Sequence, residues 1–485
     1  MKICAILWFV MFNLNISITI HLLEINSRLI FTMKEEAEIK RICNEVIERI
    51  RPDEAERARV KAVTDRIINM INQNALEMSI EAHAVSVGST ARNTWVRGET
   101  DIDIFIMFPE DMSEEDLKEN GLALAKSISD RYEERYASHP YIHAYFYDSE
   151  GRTEYEADLV PCFAVKDASA LKSAVDRTPF HNGYIMERVQ GLEDDVLLLK
   201  LFMMCLDIYG SELRRKGFSG YLCELLILNY SSFVELLLNA SRWRYGERID
   251  LEGKSKYKGE DPLIVIDPVD RNRNVAAAVS EYAFCRFIDA AREFLAQPQM
   301  SFFLPRVADS MRVEEFVKRV KKRGTEFVMV LFEAPEVVED ILFPQLRKAE
   351  LSITNMIERD GFKVYGSDVA VEGGKAFLLF ELLIWSLPQL KKHMGPPVTS
   401  KYHSEQFKNI YASTHPIFID DGRYAVEVER RYTDVVSLLK NELMSCSLGK
   451  DVSESIGRGY EVLRNEEIRF VAGIGYFFRS YFRGI

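Results

Sequence analysis

Hydrophobic spacing divides the chain into stretches of different character. From Met33 to about Asn74 apolar residues recur at helical intervals, as in MKEEAEIKRICNEVIERI, and Arg51-Pro52 interrupts the pattern. AHAVSVG, 82–88, alternates and predicts a half-buried strand, with a short helix expected after Ser89. DIDIFIMF, 101–108, alternates for most of its length and predicts a second strand. SEEDLKENGLALAKSISDRYEERY predicts one long helix, capped by Ser113 and acidic in its first turn. YIHAYFY and TEYEADLVPCF predict two more strands. The first third of the chain should therefore pack helices on a small mixed sheet.

Residues 193–241 read almost wholly as helix, in EDDVLLLKLFMMCLDIYG and GYLCELLILNYSSFVELLLNA. IVIDPVD, 264–270, predicts a lone strand ending in a turn, and a helix is expected across 275–296. The last third mixes elements. TEFVMVLF, FKVYGSDVAVEGGKAFLLFELLIW and GRYAVEVERRY are strand-like, with helical stretches at 336–359 and 432–445. The expected fold class is α+β, with a mixed domain over 33–190, a helical central domain over 191–296 and a mixed α/β C-terminal region over 297–485.

The first 32 residues stand apart. MKICAILWFVMF looks like a signal-peptide core behind one lysine, but the apolar run is too short to span a bilayer and no small-residue cleavage site follows. Met33 opens a well-patterned amphipathic helix, so 1–32 are expected to be a spurious extension; a membrane anchor is the competing reading.

Composition narrows the picture. Hydrophobic residues make up 47% of the 485 and charged residues 28%, an ordinary globular balance. The net charge of -13 excludes a generally basic nucleic-acid coat, though a local basic patch is compatible with it. The 7 cysteines are scattered and form no C-x-x-C pair, which argues against a disulfide framework or zinc ribbon and for a reducing, cytoplasmic setting.

Within the strand at 101–108, residues two apart point to one face, so Asp101 and Asp103 project together while Ile102 and Ile104 pack behind them. Paired carboxylates repel, and partly burying them costs several kcal/mol, roughly, unless a cation compensates. Mg2+ suits hard oxygen ligands and accepts one or two carboxylates plus substrate phosphates. Asp158, inside the apolar run EYEADLVPCF, is a third carboxylate that a neighbouring strand would bring alongside. Three carboxylates can hold two metals, one for an incoming hydroxyl and one for a leaving pyrophosphate. By itself D-x-D is more often a strand end facing solvent. Gly88-Ser89 shifts that balance: it follows a strand and opens a helix, where Ser89 and backbone N–H groups can meet phosphate and Arg92 can add charge. There is no Walker A sequence, H-E-x-x-H or G-x-S-x-G.

G-S, then D-x-D, then a distant Asp on a strand resembles the signature of the DNA-polymerase-beta-like nucleotidyltransferases. The stretches GSTARNTWVRGETDIDIFIMFP, EADLVPCF, SAVDRTPFHNGYI, GFSGYLCELLILNYSSF and IDPVDRNRNVAAAVS are closely similar to the archaeal class of CCA-adding tRNA nucleotidyltransferases, and the similarity runs from about Met33 to about residue 460. The resemblance implies a nucleotidyltransferase head, a helical domain completing the nucleotide site, and a C-terminal tRNA-binding body. It implies Asp101, Asp103 and Asp158 as catalytic, metal-binding carboxylates for two Mg2+ ions. It also implies Ser89, Arg92, Thr178, His181, Lys200, Tyr209 and Arg273 at the nucleotide, and Tyr141 and His143 near the sugar and primer end. The implied substrates are ATP, CTP and the acceptor and T arms of tRNA, and a homodimer off the membrane is expected. Arg242 to Arg244, RVKKRG at 319–324 and YFFRSYFRGI are the basic-aromatic stretches that could meet RNA. The closing EEIRFVAGIGYFFRSYFRGI departs from the family pattern. The alternatives are another RNA nucleotidyltransferase of this superfamily, such as a poly(A) polymerase, and a non-catalytic RNA-binding protein of the same fold.

Overall fold

The computed structural model describes residues 33–136, 139–147, 153–167, 171–304, 310–471 and 473–482. The extension at 1–32 lies outside them. The chain forms two compact units that divide between residues 306 and 307.

The first unit opens with α1 (Met33–Ile50) and α2 (Glu54–Glu77). Pro52 cannot donate a helical hydrogen bond, and Asp53 restarts the helix through a capping box with Glu56. β1 (His83–Val87), the short α3 (Gly88–Arg92) and β2 (Ile102–Phe108) follow. α4 (Glu114–Ser127) is capped by Ser113 as expected, but it stops at Ser127. The segment RYEERY, read as the end of that helix, is instead β3 (Arg131–Tyr136), a charged and exposed edge strand. Charged residues suit a helix surface and a protected sheet edge alike, so pattern could not separate the two. β4 (Pro140–Tyr147) and β5 (Thr153–Phe163) complete a five-stranded sheet of order β1-β2-β5-β4-β3. β2 and β5 run parallel; the other pairs are antiparallel. Ile102, Ile104, Ile106 and Phe108 join α2 and α4 in the core on one face. The opposite face carries Asp103, beside a smaller buried cluster of Val87, Phe105, Val160 and Cys162.

The helical part comprises α5 (Thr178–Met186), α6 (Glu193–Cys205), α7 (Gly220–Tyr230), α8 (Phe233–Ala240) and α9 (Glu281–Ala296). A core rich in phenylalanine, with Phe202, Phe233, Phe287 and Phe294 fully buried, holds it together. The strand expected to stand alone is β7 (Leu263–Val265), and it pairs in parallel with β6 (Glu247–Ile249). The helix expected from 275 begins only at Glu281, with Ser280 as cap. Asn274 holds the preceding turns open: its Oδ1 accepts from the N–H groups of Val265 and Ala276. Among the described residues no single helix is long and apolar enough to cross a membrane.

The second unit contains α10 (Val313–Arg323), β8 (Glu326–Glu333), α11 (Glu339–Arg359), β9 (Lys363–Glu372) and β10 (Lys375–Ile384). It continues through β11 (Leu390–Pro397), α12 (Lys401–Tyr411), β12 (Phe418–Asp420), β13 (Arg423–Glu429) and α13 (Val435–Glu442), and closes with α14 (Lys450–Arg458), β14 (Tyr460–Arg464) and α15 (Ile474–Tyr481). An antiparallel sheet of order β14-β8-β10-β9 buries one face under α11 and α14 and the other under α10 and α15. A smaller sheet, β11-β13-β12, carries α12. The C-terminal segment thus has a structural part: Phe477 and Phe478 are core residues, and Glu381, fully buried on β10, accepts from Arg323, Thr325 and Tyr481.

Candidate active site

Register brings the carboxylates together. Across the parallel pair β2–β5, Asp103 stands opposite Asp158, and Asp101 precedes β2 on the same face. On its other side Asp103 pairs with Val87, the last residue of β1. Gly88 follows with φ +77, a conformation glycine adopts freely, and any Cβ there would overlap Asp103 Oδ2. Ser89 is the second residue of α3 and is half-buried.

Asp101 and Asp103 are destabilised as charges by burial and by their carboxylate neighbours. Burial pushes the Asp103 carboxyl up to about 7, with Asp158 and then Asp101 adding to it. Asp101 is raised by burial and then by Asp158. Among the described residues no three His, Cys, Asp or Glu side chains already form a metal-holding group. On β4, His143, opposite Asp158 in the register, places Nδ1 2.6 Å from Asp158 Oδ1 and Nε2 3.1 Å from Glu156 Oε2. Tyr141, on the same face of β4, has its phenol pKa raised by burial and by Asp158. An all-oxygen, anionic, desolvated donor set of this kind fits a divalent cation whose remaining ligands come from substrate phosphate.

The basic residues fall into two groups. In the first, Arg92 turns inward at 8% exposure: Nε donates to Glu224 Oε1 at 3.0 Å and Nη1 to Asn182 Oδ1 at 2.9 Å. Thr94 Oγ1 donates to the same Glu224 oxygen at 2.6 Å, and Lys200 Nζ donates to the Thr94 carbonyl at 2.7 Å. Burial lowers the Lys200 pKa, with Glu224 opposing. Asp101 feels the Lys200 charge, and Asp103 feels that of Arg92. Tyr209 lies with Lys200 against Gly220, where a Cβ would sit 3.1 Å from the phenol oxygen.

In the second group, His181 Nε2 lies 2.9 Å from Asp267 Oδ2, and Arg273 Nη1 donates to that oxygen at 2.8 Å. Thr178, half-buried, begins the helix that carries His181. Asp267 and Glu224 escaped the sequence reading. Both are carboxylates inside apolar runs, IVIDPVD and GYLCELLIL, the signal that drew attention to Asp158 and Lys200. Of the stretches read as RNA contacts, Arg319 is tied to Glu315 and Arg323 to Glu381.

Residues 68–181 match the family described as "Nucleotidyltransferase domain", 194–304 "tRNA nucleotidyltransferase, second domain", and 323–465 "CCA-adding enzyme, C-terminal domain". The CCA-adding enzyme of Methanosarcina barkeri is 43% identical over 431 residues, covering 87% of this chain and 93% of that protein. The chain belongs to the CCA-adding enzyme family. Within that family the enzyme of Methanothermobacter thermautotrophicus is 42% identical over 427 residues, 86% of this chain and 92% of that one. The enzyme of Archaeoglobus fulgidus is 37% identical over 432 residues, 89% and 96%. A solved Cid1 poly(U) polymerase structure is similar at a TM-score of 0.44 and 16% identity, over 56% of this chain and 99% of that one. The chain is thus a tRNA nucleotidyltransferase, and nucleotides are among its substrates.

Proposed function

We infer that the protein adds C, C and A in turn to the 3′ end of tRNA, and repairs that end, from CTP and ATP. The observation that carries this reading is the Asp103–Asp158 register with Asp101 beside it, in a chain of the CCA-adding family. The terminal 3′-oxygen forms a bond to the α-phosphorus in line, the bond to the bridging oxygen breaks, pyrophosphate leaves, and the hydroxyl proton is released. Asp101, Asp103 and Asp158 would hold two Mg2+ ions, which supply an activated hydroxyl and neutralise the leaving charge. His143, bonded to one oxygen of Asp158, would orient that carboxylate and leave its other oxygen free for a cation. Tyr141 and His143 stand on the strand where the primer end would arrive. Ser89 and Tyr209 would stand on the triphosphate side, with Arg92 and Lys200, buried and bonded to Glu224 and to the Thr94 carbonyl, adding charge from behind; Thr178, His181 and Arg273 would stand on the nucleoside side. No nucleic-acid template takes part. tRNA would be held by its acceptor and T arms, through phosphates and 2′-hydroxyls. We place the enzyme in the cytoplasm, as a homodimer, off the membrane.

The test is incorporation of labelled CTP, supplied alone, into tRNA lacking CCA. Addition of C residues is expected, and then of A once ATP is present. Indifference to CTP with addition of repeated A would make the protein a poly(A)-type enzyme; no incorporation of either would make it a binding protein.

A further inference from the structure

Asp267 does more than fill a turn. Its side chain is fully buried and gathers four donors. Oδ2 meets His181 Nε2 at 2.9 Å and accepts from Arg273 Nη1 at 2.8 Å; Oδ1 accepts from the Tyr221 hydroxyl at 3.3 Å and the Val269 N–H at 3.1 Å. Tyr221 also stacks on the His181 ring, centroids 3.9 Å apart and planes 21° from parallel. The imidazole is thus pinned by one edge and one face. A nitrogen that faces a carboxylate carries its proton, so the ring proton sits on Nε2. Burial lowers the His181 pKa against the opposing pull of Asp267, and the charges of Arg273 and Arg177 lower it further. That direction favours the neutral ring, whose Nδ1 keeps its lone pair.

We propose that Asp267 is a positioning residue that fixes His181 as a hydrogen-bond acceptor, and Arg273 beside it as a donor, toward the incoming nucleotide. The proposal rests on the reading of this site as the nucleotide site and adds a polarity to its wall. What an acceptor recognises is a donor, and CTP and ATP share two kinds: a ribose hydroxyl and the exocyclic amine of the base. UTP presents a carbonyl in place of the amine, and a deoxynucleotide lacks the 2′-hydroxyl.

The experiment uses the full chain with tRNA lacking CCA and compares the wild type, Asp267→Asn, His181→Ala and the double variant. Asp267→Asn should raise the KM for CTP by roughly tenfold to a hundredfold, the worth of a hydrogen bond to a charged group, with a smaller change in kcat. Because Asp267 acts through His181 and Arg273, the double variant should lose less than the product of the two single effects; effects that multiply in full would overturn the proposal. His181→Ala should lower the preference for CTP over dCTP if the ribose supplies the donor, or for CTP over UTP if the amine does. A variant that keeps both preferences would also overturn it. Nitrogen NMR of the wild type should find Nδ1 unprotonated, a readout that a merely structural aspartate would leave unconstrained; a protonated Nδ1 sinks the idea. Should Asp267→Asn fail to fold, the NMR and the His181→Ala preferences decide. A wild type that adds no CTP would instead refute the proposed function.

Discussion

Gly88 and Asp103 are fitted to each other: the space a side chain on Gly88 would fill is taken by the Asp103 carboxylate, 3.0 Å from a Cβ position to its Cγ. The strand-to-helix turn thus brings backbone up to the carboxylate proposed as catalytic, at a φ of +77. Gly88→Ala should strain the turn by about 1 kcal/mol or more and push Asp103 aside. A displacement of about 1 Å at a reacting centre can cost on the order of a hundredfold. CTP incorporation should fall by at least that much while the melting temperature falls only modestly. A variant with wild-type turnover would show that the carboxylate does not depend on this contact.

Asp103→Asn tests the carboxylate itself. It keeps shape and removes charge, so tRNA binding should stay within a few-fold while incorporation drops by about a hundredfold to a thousandfold or more. Filter binding and single-turnover incorporation separate the two effects.

The same residue sets a pH dependence. The folded value of Asp103, about 7, lies above its ordinary value of 3.8, so the native state binds the proton more tightly than the unfolded chain. Through this group, stability without metal is greatest below about pH 4 and declines as pH rises toward about 7. A bound divalent cation needs the deprotonated carboxylate, so Mg2+ and the proton compete. Melting curves with and without Mg2+ should therefore show a larger stabilisation at about pH 8 than at about pH 5.5. In Asp103→Asn the contrast should shrink, and the metal-free variant should be the more stable protein at the higher pH.

Particular residues show why some of this was legible in sequence and some was not. Period-two alternation places Asp103 away from Ile102 and Ile104 whatever the surroundings, so that face could be read directly. That Asp158 stands opposite it depends on the parallel register of two strands separated by β3 and β4, which alternation alone does not encode. Arg92 reads as a free phosphate ligand until α7 places Glu224 beside it. Asp267 is a turn residue in IVIDPVD until the fold brings α5 and α7 to it. Partners of buried charges come from distant elements, and single-sequence pattern carries almost no information about such pairs.

The Arg92–Glu224 pair can be tested by removing one side of it. Its side chains are 7% and 0% exposed, and the second Glu224 oxygen has no hydrogen-bond partner. Glu224→Ala would leave the Arg92 guanidinium buried without a counter-charge, an arrangement that costs roughly 3–5 kcal/mol. Glu224→Gln retains an acceptor for Arg92 and Thr94 and should cost less. Urea unfolding of the two variants should rank them in that order; equal stabilities would mean that Arg92 finds another partner or reaches solvent.

The last prediction concerns the C-terminal helix α15, which the family description, ending at residue 465, does not reach. Phe478 is 1% exposed, with its ring centroid 4.6 Å from that of Phe316 and 5.2 Å from that of Phe482. Tyr481, on the same helix, donates to Glu381 at 3.0 Å, a carboxylate fully buried and held also by Arg323. If the helix served RNA alone, Phe478→Ala would weaken tRNA binding and leave folding untouched. Its packing argues the reverse: truncating a buried phenylalanine costs about 3–5 kcal/mol. The variant should therefore unfold at markedly lower urea, and protein that remains folded should bind tRNA as the wild type does. Tyr481→Phe should be milder, since it removes one of several donors to Glu381 while keeping the ring in place. A Phe478→Ala protein of unchanged stability but weakened tRNA affinity would return the helix to the RNA-binding surface.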